Sequence, residues 1–326
     1  MRIGVIGPTR PDCFSAHIID GLHAMGHDAV SVGSSLPAGG RCTATVALAA
    51  RNLLTSIDER SQQRIVRTAM QAECEIVINV EQQLMPAVVQ NLRRNGLKTG
   101  IWFPDAIVNM ERQLMLLAPY DAVFVKEPYL VRRLTAVLDL PVFYLPQACN
   151  PRVHRPVVAP GTEPCLVLAG NMYPSRIRLL ERLQANGLPL RLYGAKFSRW
   201  IGDTPLREVH TGQCVFGEAK ARVFRSAVAV LNTMHPAEIE GVNLRLFEAA
   251  GCGAAVLTEF RPTVPDLFDV GDEVLAFRDF EELLGQATRL LNEPELTAKL
   301  GDAAAARAHA IHSYEKRLAV LLEKLA

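Results

Sequence analysis

No stretch of this 326-residue sequence reaches the ~18 uninterrupted apolar residues of a membrane span. Net charge is nearly absent too. Thirty-five basic and 34 acidic side chains leave +1, so no global field recruits nucleic acid or an anionic membrane. The seven cysteines (13, 42, 74, 149, 165, 214 and 252) are odd in number, scattered, and form no Cys-x-x-Cys pair. A zinc knuckle or a disulfide framework is therefore not expected, and a reduced cytosolic setting fits better. Neither a Gly-x-x-x-x-Gly-Lys-Ser/Thr loop nor a Gly-x-Gly-x-x-Gly fingerprint occurs. With Gly4 and Gly7 the only glycines of the first turn, a nicotinamide enzyme is disfavoured. A Gly-x-Ser-x-Gly elbow is missing as well. The N-terminus enters a strand-like run (Arg2–Ile6) with no charged leader, so the expected location is cytoplasmic.

What is present is rhythm. Short apolar runs alternate with amphipathic segments of helix length, the mark of βα units on parallel sheets. Expected strands are Arg2–Ile6, Ala29–Val32, Ile76–Val80, Thr99–Phe103, Ala122–Val125 and Val142–Leu145, with helices such as Ala16–Met25 and Ala87–Asn95 stopped by Gly26 and Gly96. A second series starts at Cys165–Ala169. It continues through helix Arg176–Asn186, strand Leu190–Tyr193, helix Lys220–Ser226, strand Ala227–Asn232, helix Leu244–Ala250 and strand Ala254–Thr258. Helices are expected over Phe280–Asn292, Glu295–His312 and Tyr314–Ala326, and the reading is least definite over 35–70. Four prolines between Asn150 and Pro164 disfavour helix or central strand and mark a linker. The expected fold is α/β, two doubly wound Rossmann-like domains facing a cleft. They span 1–149 and 165–312, joined by 150–164, with a terminal helix over 313–326 able to cross back to the first domain. Ligands in such sheets bind beyond the carboxyl ends of the strands.

The most informative segment runs from Glu240 to Thr258: a loop with one carboxylate, a short helix with another (Glu248), then Gly-Cys-Gly and a buried strand. Asn243 can cap that helix. The first-turn N–H groups of residues 244 to 246 then form an anion site strengthened by the helix dipole. The two carboxylates would flank a diphosphate, and carboxylates are good acceptors for sugar hydroxyls. Gly170-Asn171-Met-Tyr-Pro-Ser-Arg176 repeats the strand–loop–helix plan, with Arg176 either a phosphate neutraliser or a surface residue of a first turn. Gly194 and Lys196 end the next strand, where a base or a phosphate could sit, with Lys196 either a ligand contact or a solvated side chain.

The pattern Glu-Gly-x-x-Leu-x-x-x-Glu-Ala-x-x-Cys-Gly-x-x-Val resembles the donor-binding signature of retaining glycosyltransferases of the GT-B fold. The closer likeness is to the CgeB-like (spore maturation) group, carried by Tyr129–Arg132, Tyr144–Asn150, Gly170–Tyr173 and Asn243–Glu248. The resemblance implies a glycosyltransferase moving a sugar from a nucleoside diphosphate sugar to an acceptor hydroxyl with retention. It implies that Glu248 binds the donor ribose, that Glu240 contacts the transferred sugar, and that the backbone of Gly241, Val242, Asn243 and Leu244 lines the sugar and diphosphate; Arg245 is a further donor-side candidate. It also implies a basic residue turned to the diphosphate, best matched by Arg176. Asn243 stands where the wider family has glycine, as it commonly does in the CgeB-like group. Trp102-Phe103-Pro104-Asp105 falls where such enzymes often carry a His-Asp pair, with Pro104 replacing the His.

Asp105 is therefore a candidate to orient the acceptor hydroxyl, act as base or shape a turn. Thr9, Arg10, His17, Trp102 and Lys126 are further acceptor-side candidates, His17 with packing or capping as its alternative. No Asp-x-Asp occurs, so metal chelation of the diphosphate is not expected. His309/His312 and His235/Glu238 are too sparse for a metal site. No cofactor beyond the co-substrate is expected; the base, sugar, acceptor and oligomeric state stay open. The rivals are a nucleotide-sugar epimerase, a non-enzymatic two-lobed binding protein and a degenerate transferase.

Overall fold

A computed structural model describes residues 1–35, 55–110, 112–158, 161 and 163–326; Cys42 and parts of the 35–70 and 150–164 stretches lie outside them. In chain order the elements of the first half are β1 (Arg2–Ile6), α1 (Phe14–Ala24), β2 (Asp28–Gly33), α2 (Thr55–Gln71), β3 (Ile76–Asn79), α3 (Pro86–Arg94), β4 (Lys98–Phe103), α4 (Leu114–Leu117), β5 (Ala122–Val125), α5 (Pro128–Leu138) and β6 (Val142–Tyr144). The second half holds β7 (Glu163–Ala169), α6 (Pro174–Ala185), β8 (Leu190–Tyr193), α7 (Gly217–Ser226), β9 (Ala227–Asn232), α8 (Leu244–Gly251), β10 (Val256–Glu259), α9 (Val264–Leu267), β11 (Leu275–Phe277), α10 (Phe280–Asn292), α11 (Pro294–Ile311) and α12 (Tyr314–Leu325).

The strands form two parallel sheets, ordered β2-β1-β3-β4-β5-β6 and β11-β10-β9-β7-β8. Central strands such as β5 and β9 are buried at every position, because helices cover both faces. The chain divides into two compact units, Met1–Pro146 with Tyr314–Ala326, and Gln147–Ser313. The change of unit thus falls before the proline-rich stretch and again at the start of α12.

In the first unit, α12 lies on α1 and on the faces of β4 and β5. Glycine makes the room. A Cβ on Gly21 would come within 2.9 Å of Leu318 Cδ1, and one on Gly100 within 2.9 Å of Leu325 Cδ1. Tyr314 sits in an aromatic cluster with Phe14, His17 and Trp102, and Arg317 Nε donates to the Pro146 carbonyl at 3.2 Å. In the second unit Phe247, Phe268 and His312 pack together.

Most expected elements are present with ends moved by one to three residues. α2, α4, α5, α9 and β11 carried no expectation. α5 buries no residue fully and stops at Asp139 in the left-handed region (φ 51°) instead of at a glycine; β11 is three residues long.

Each sheet reverses its strand order once, between β1 and β3 in the first and between β7 and β9 in the second. Loops leaving such a pair of strands diverge to opposite faces and open a crevice at the carboxyl edge. That rule fixes where to look for sites.

Candidate functional site

At the β7/β9 crevice the loop after β7 is made by Gly170 (φ +153°) and meets Gly194 (φ +152°) at the end of β8. A Cβ on Gly194 would fall 2.4 Å from the Gly170 oxygen, so only glycine permits this approach. Pro174 opens α6 at a position where its missing N–H costs nothing. Arg176 in that first turn is not a solvated surface residue. Its Nε donates to Thr233 Oγ1 (2.8 Å), Nη1 to the Asn171 carbonyl (2.7 Å), and Nη2 to Tyr173 Oη (2.7 Å) and the Thr233 carbonyl (3.0 Å). The guanidinium also lies 4.2 Å from the Tyr173 ring centre. Burial, with help from the charge of Arg245, pushes Arg176 below the usual arginine range.

Thr233 follows β9 and ties this loop to the next. Its carbonyl also accepts Asn243 Nδ2 (3.1 Å), while Asn243 Oδ1 caps α8 by accepting the Arg245 N–H (3.1 Å). The Leu246 N–H goes to the Asn243 carbonyl at 3.4 Å. Of the three N–H groups expected to hold an anion, only that of Leu244 has no acceptor among the described residues. Gly241 and Val242 are buried; Asn243, Leu244 and Arg245 are half-buried.

Glu248, one turn into α8, is buried among three basic groups. Lys220 Nζ is 2.7 Å from Oε1, His154 Nε2 is 3.5 Å from the same oxygen, and Arg245 Nη1 bonds Oε2. Burial pushes the carboxyl up, but Arg245, then Lys220 and His154, pull harder and hold it at about 2. His154 Nδ1 accepts the Asn150 N–H (3.0 Å), which puts a ring proton on the Nε2 that faces Glu248. Lys220 and His154 had not been singled out: a lone Lys in an amphipathic helix and a His between prolines give no signal in the sequence.

Glu240 is half-buried, and its carbonyl accepts Thr263 Oγ1 at 2.6 Å, which fixes the loop ahead of α8. Asn171, Ala195 and Lys196 are exposed, Gly194 is buried. His309 and His312 direct Nε2 at backbone carbonyls, His309 at those of His154 and Gly251 and His312 at that of Leu267.

In the first unit the β1/β3 crevice holds a cavity of about 300 Å³ lined by Pro8, Phe14, Glu81, Gln82, Phe103 and Asp105. Asp105 is exposed, with Oδ1 accepting the Ala106 N–H (2.8 Å). Glu81, which the sequence did not flag, accepts from Ser34 Oγ (2.5 Å) and from Ser35 N (2.5 Å) and Oγ (2.6 Å). Thr9 and Arg10 are exposed, whereas Lys126 is buried. Two acceptor-side candidates are corrected. Trp102 is fully buried and its Nε1 donates to the Leu145 carbonyl at 3.2 Å, so it builds the core and presents nothing to a ligand. His17 is buried too, with Nε2 2.9 Å from Asp12 Oδ1 and its ring against Tyr314, which is its packing alternative.

Residues 176–323 match a family model described as Glycosyl transferase-like. No curated protein matches the sequence. Among solved structures, the chain is similar to Anabaena HepE in complex with UDP and glucose (14% identity, 100% of each chain, TM-score 0.69). It is also similar to sucrose-phosphate synthase from Thermosynechococcus elongatus (14% identity, 99% of this chain and 97% of that one, TM-score 0.68). A third similar structure is AviGT4, a glycosyltransferase of avilamycin A biosynthesis (17% identity, 99% and 96%, TM-score 0.65). The fold is that of the GT-B glycosyltransferases.

Proposed function

We propose that this chain is a glycosyltransferase that moves a sugar from a nucleoside diphosphate sugar to an acceptor hydroxyl, without a metal and with retention; the family match over 176–323 and the fold support the transferase reading. The observation that carries the reading is the convergence of Arg176, the capped start of α8 and the ionised Glu248 at the β7/β9 crevice. In the reaction the bond between the anomeric carbon and the diphosphate oxygen breaks as the acceptor oxygen bonds to that carbon. Positive charge develops on the sugar ring and negative charge on the departing diphosphate. The Leu244 N–H, the α8 dipole and Arg176 supply fixed positive potential for the leaving group, and the charge of Arg245 adds to it. Glu248 serves the ribose, and Glu240, next to the buried Gly241-Val242 backbone, serves the transferred sugar. The β1/β3 cavity beside Asp105 takes the acceptor, whose hydroxyl proton Asp105 can receive.

The likeness to the CgeB-like group supports this assignment through the Asn-Leu-Arg-Leu-Phe-Glu run at 243–248. A cytoplasmic site of action agrees with the fact that no helix among the described residues is long and apolar enough to cross a membrane. Calorimetric titration with a panel of nucleoside diphosphates tests the class and identifies the base. Glu248→Ala should weaken nucleotide binding roughly 10- to 150-fold, the value of a charged hydrogen bond. Glu240→Gln should lower turnover more than nucleotide affinity. Unchanged affinity and rate in both variants refute the assignment.

A further inference from the structure

Glu248 as it stands is closed to any ligand. Its side chain is 3% exposed and both oxygens are engaged, Oε1 by Lys220 and Oε2 by Arg245. A ribose hydroxyl reaches the carboxylate only if one cation leaves. Lys220 (4% exposed) and His154 (0%) are enclosed on all sides. Arg245 differs in three respects. It is 25% exposed, and it is held to Glu248 through Nη1, within one helical turn. Its Nε is buried with no hydrogen-bond acceptor, the arrangement of a donor waiting for one. Its charge also lies near enough to Arg176 for the two cations to disfavour each other, a repulsion that an anion between them would relieve.

We infer that Arg245 is an exchange residue: a bound diphosphate draws its guanidinium off Glu248, and that movement opens Oε2 to the ribose. Lys220 stays and keeps the carboxylate ionised after Arg245 has gone. Phosphate and nucleoside recognition are therefore coupled through one side chain. A nucleoside alone meets a covered carboxylate; a nucleoside diphosphate uncovers it. The inference rests on the donor reading of this crevice and deepens it, since it makes the enzyme selective for the intact nucleoside diphosphate over its fragments.

The test is calorimetry with three probes: the nucleoside diphosphate that binds best in the panel, its parent nucleoside, and inorganic pyrophosphate. In the wild type, saturating pyrophosphate should tighten nucleoside binding. In Arg245→Met the diphosphate should bind at least roughly tenfold more weakly, as expected for a lost charged hydrogen bond. The nucleoside alone should bind more tightly than to the wild type, and the effect of pyrophosphate on it should vanish. Arg245→Lys, which retains the charge, should keep the pyrophosphate effect in weakened form and shows that the site tolerates substitution. Equal weakening of nucleoside and diphosphate in Arg245→Met, no change in either, or a wild type in which pyrophosphate does not aid the nucleoside would each overturn the inference. A wild type that binds no nucleoside diphosphate removes the donor reading and the inference together. Normal binding with any of the adverse results removes the inference alone.

Discussion

Replacing Lys220 by Met isolates what the buried charge cluster contributes. Lys220 lies 2.7 Å from Glu248 Oε1, and both side chains are below 5% exposed, so water cannot take the place of the lost ammonium. Removing one partner of a buried pair costs about 3–5 kcal/mol, because the other charge is left in a poor solvent. Arg245 and His154 still face Glu248, which puts the expected loss at the lower end, about 3 kcal/mol. For a unit of about 170 residues, each kcal/mol lowers the melting temperature by about 2–4 °C, so a fall of about 6–12 °C is expected. The pH profile carries an independent signature. Glu248 is held at about 2 against an ordinary 4.5, so its stabilisation is complete above pH 4.5 and is lost as pH falls from there through about 2. Without Lys220 the carboxyl titrates higher, and the acid loss begins at a higher pH. The double variant Lys220→Met/Glu248→Gln removes both charges and should recover at least half of the stability, a coupling of about 1.5 kcal/mol or more. Urea and thermal unfolding of the four proteins give the cycle. A loss below about 1 kcal/mol in Lys220→Met with no recovery in the double variant would refute the reasoning.

Three further outcomes are expected. Asn243→Ala removes the cap on the Arg245 N–H and the bond to the Thr233 carbonyl; denaturant titration should show a loss of about 1–2 kcal/mol, and nucleotide binding should weaken with it. Gly194→Ala sets a methyl 2.4 Å from the Gly170 oxygen at a φ of +152°, so the two loops must part, with a stability loss of at least about 1 kcal/mol and a poorer diphosphate site. The ratio of the nucleotide affinities of the wild type and Glu248→Gln, in which the ligand's own titration cancels, should be flat from neutral pH down to about 4.5 and change only in stronger acid, because Glu248 stays ionised throughout that range; calorimetry of both proteins at stepped pH checks it.

The alternation of apolar strands with amphipathic helices was legible because the pattern is local: runs such as those of β5, β7 and β9, with four to six consecutive buried residues, are short, rich in apolar side chains and set between helix-length amphipathic segments, as strands covered on both faces are. The Glu240-to-Thr258 segment was legible for the same reason. Asn243 caps the helix it precedes, and the cap is a contact between neighbours in sequence. What escaped were contacts between residues far apart. Lys220 reaches Glu248 across 28 positions, and His154 comes from a proline-rich stretch that nothing in the sequence ties to α8. Trp102 was misjudged because a strand end near a crevice and a strand end in the core read alike until Leu145 and Tyr314 are placed around it.

The sequence by itself determined the fold class, the α8 turn with its cap, and the chemistry available there, since each depends on periodicity or on near neighbours. Only the tertiary structure decided that Arg176 is fastened to Thr233, that Glu248 is enclosed by three basic side chains, and that the last helix joins the first unit. Those outcomes depend on which strands lie side by side and which small residues leave room, such as Gly21 and Gly100 beneath α12. Packing of that kind is set jointly by distant parts of the chain, and no local pattern contains it.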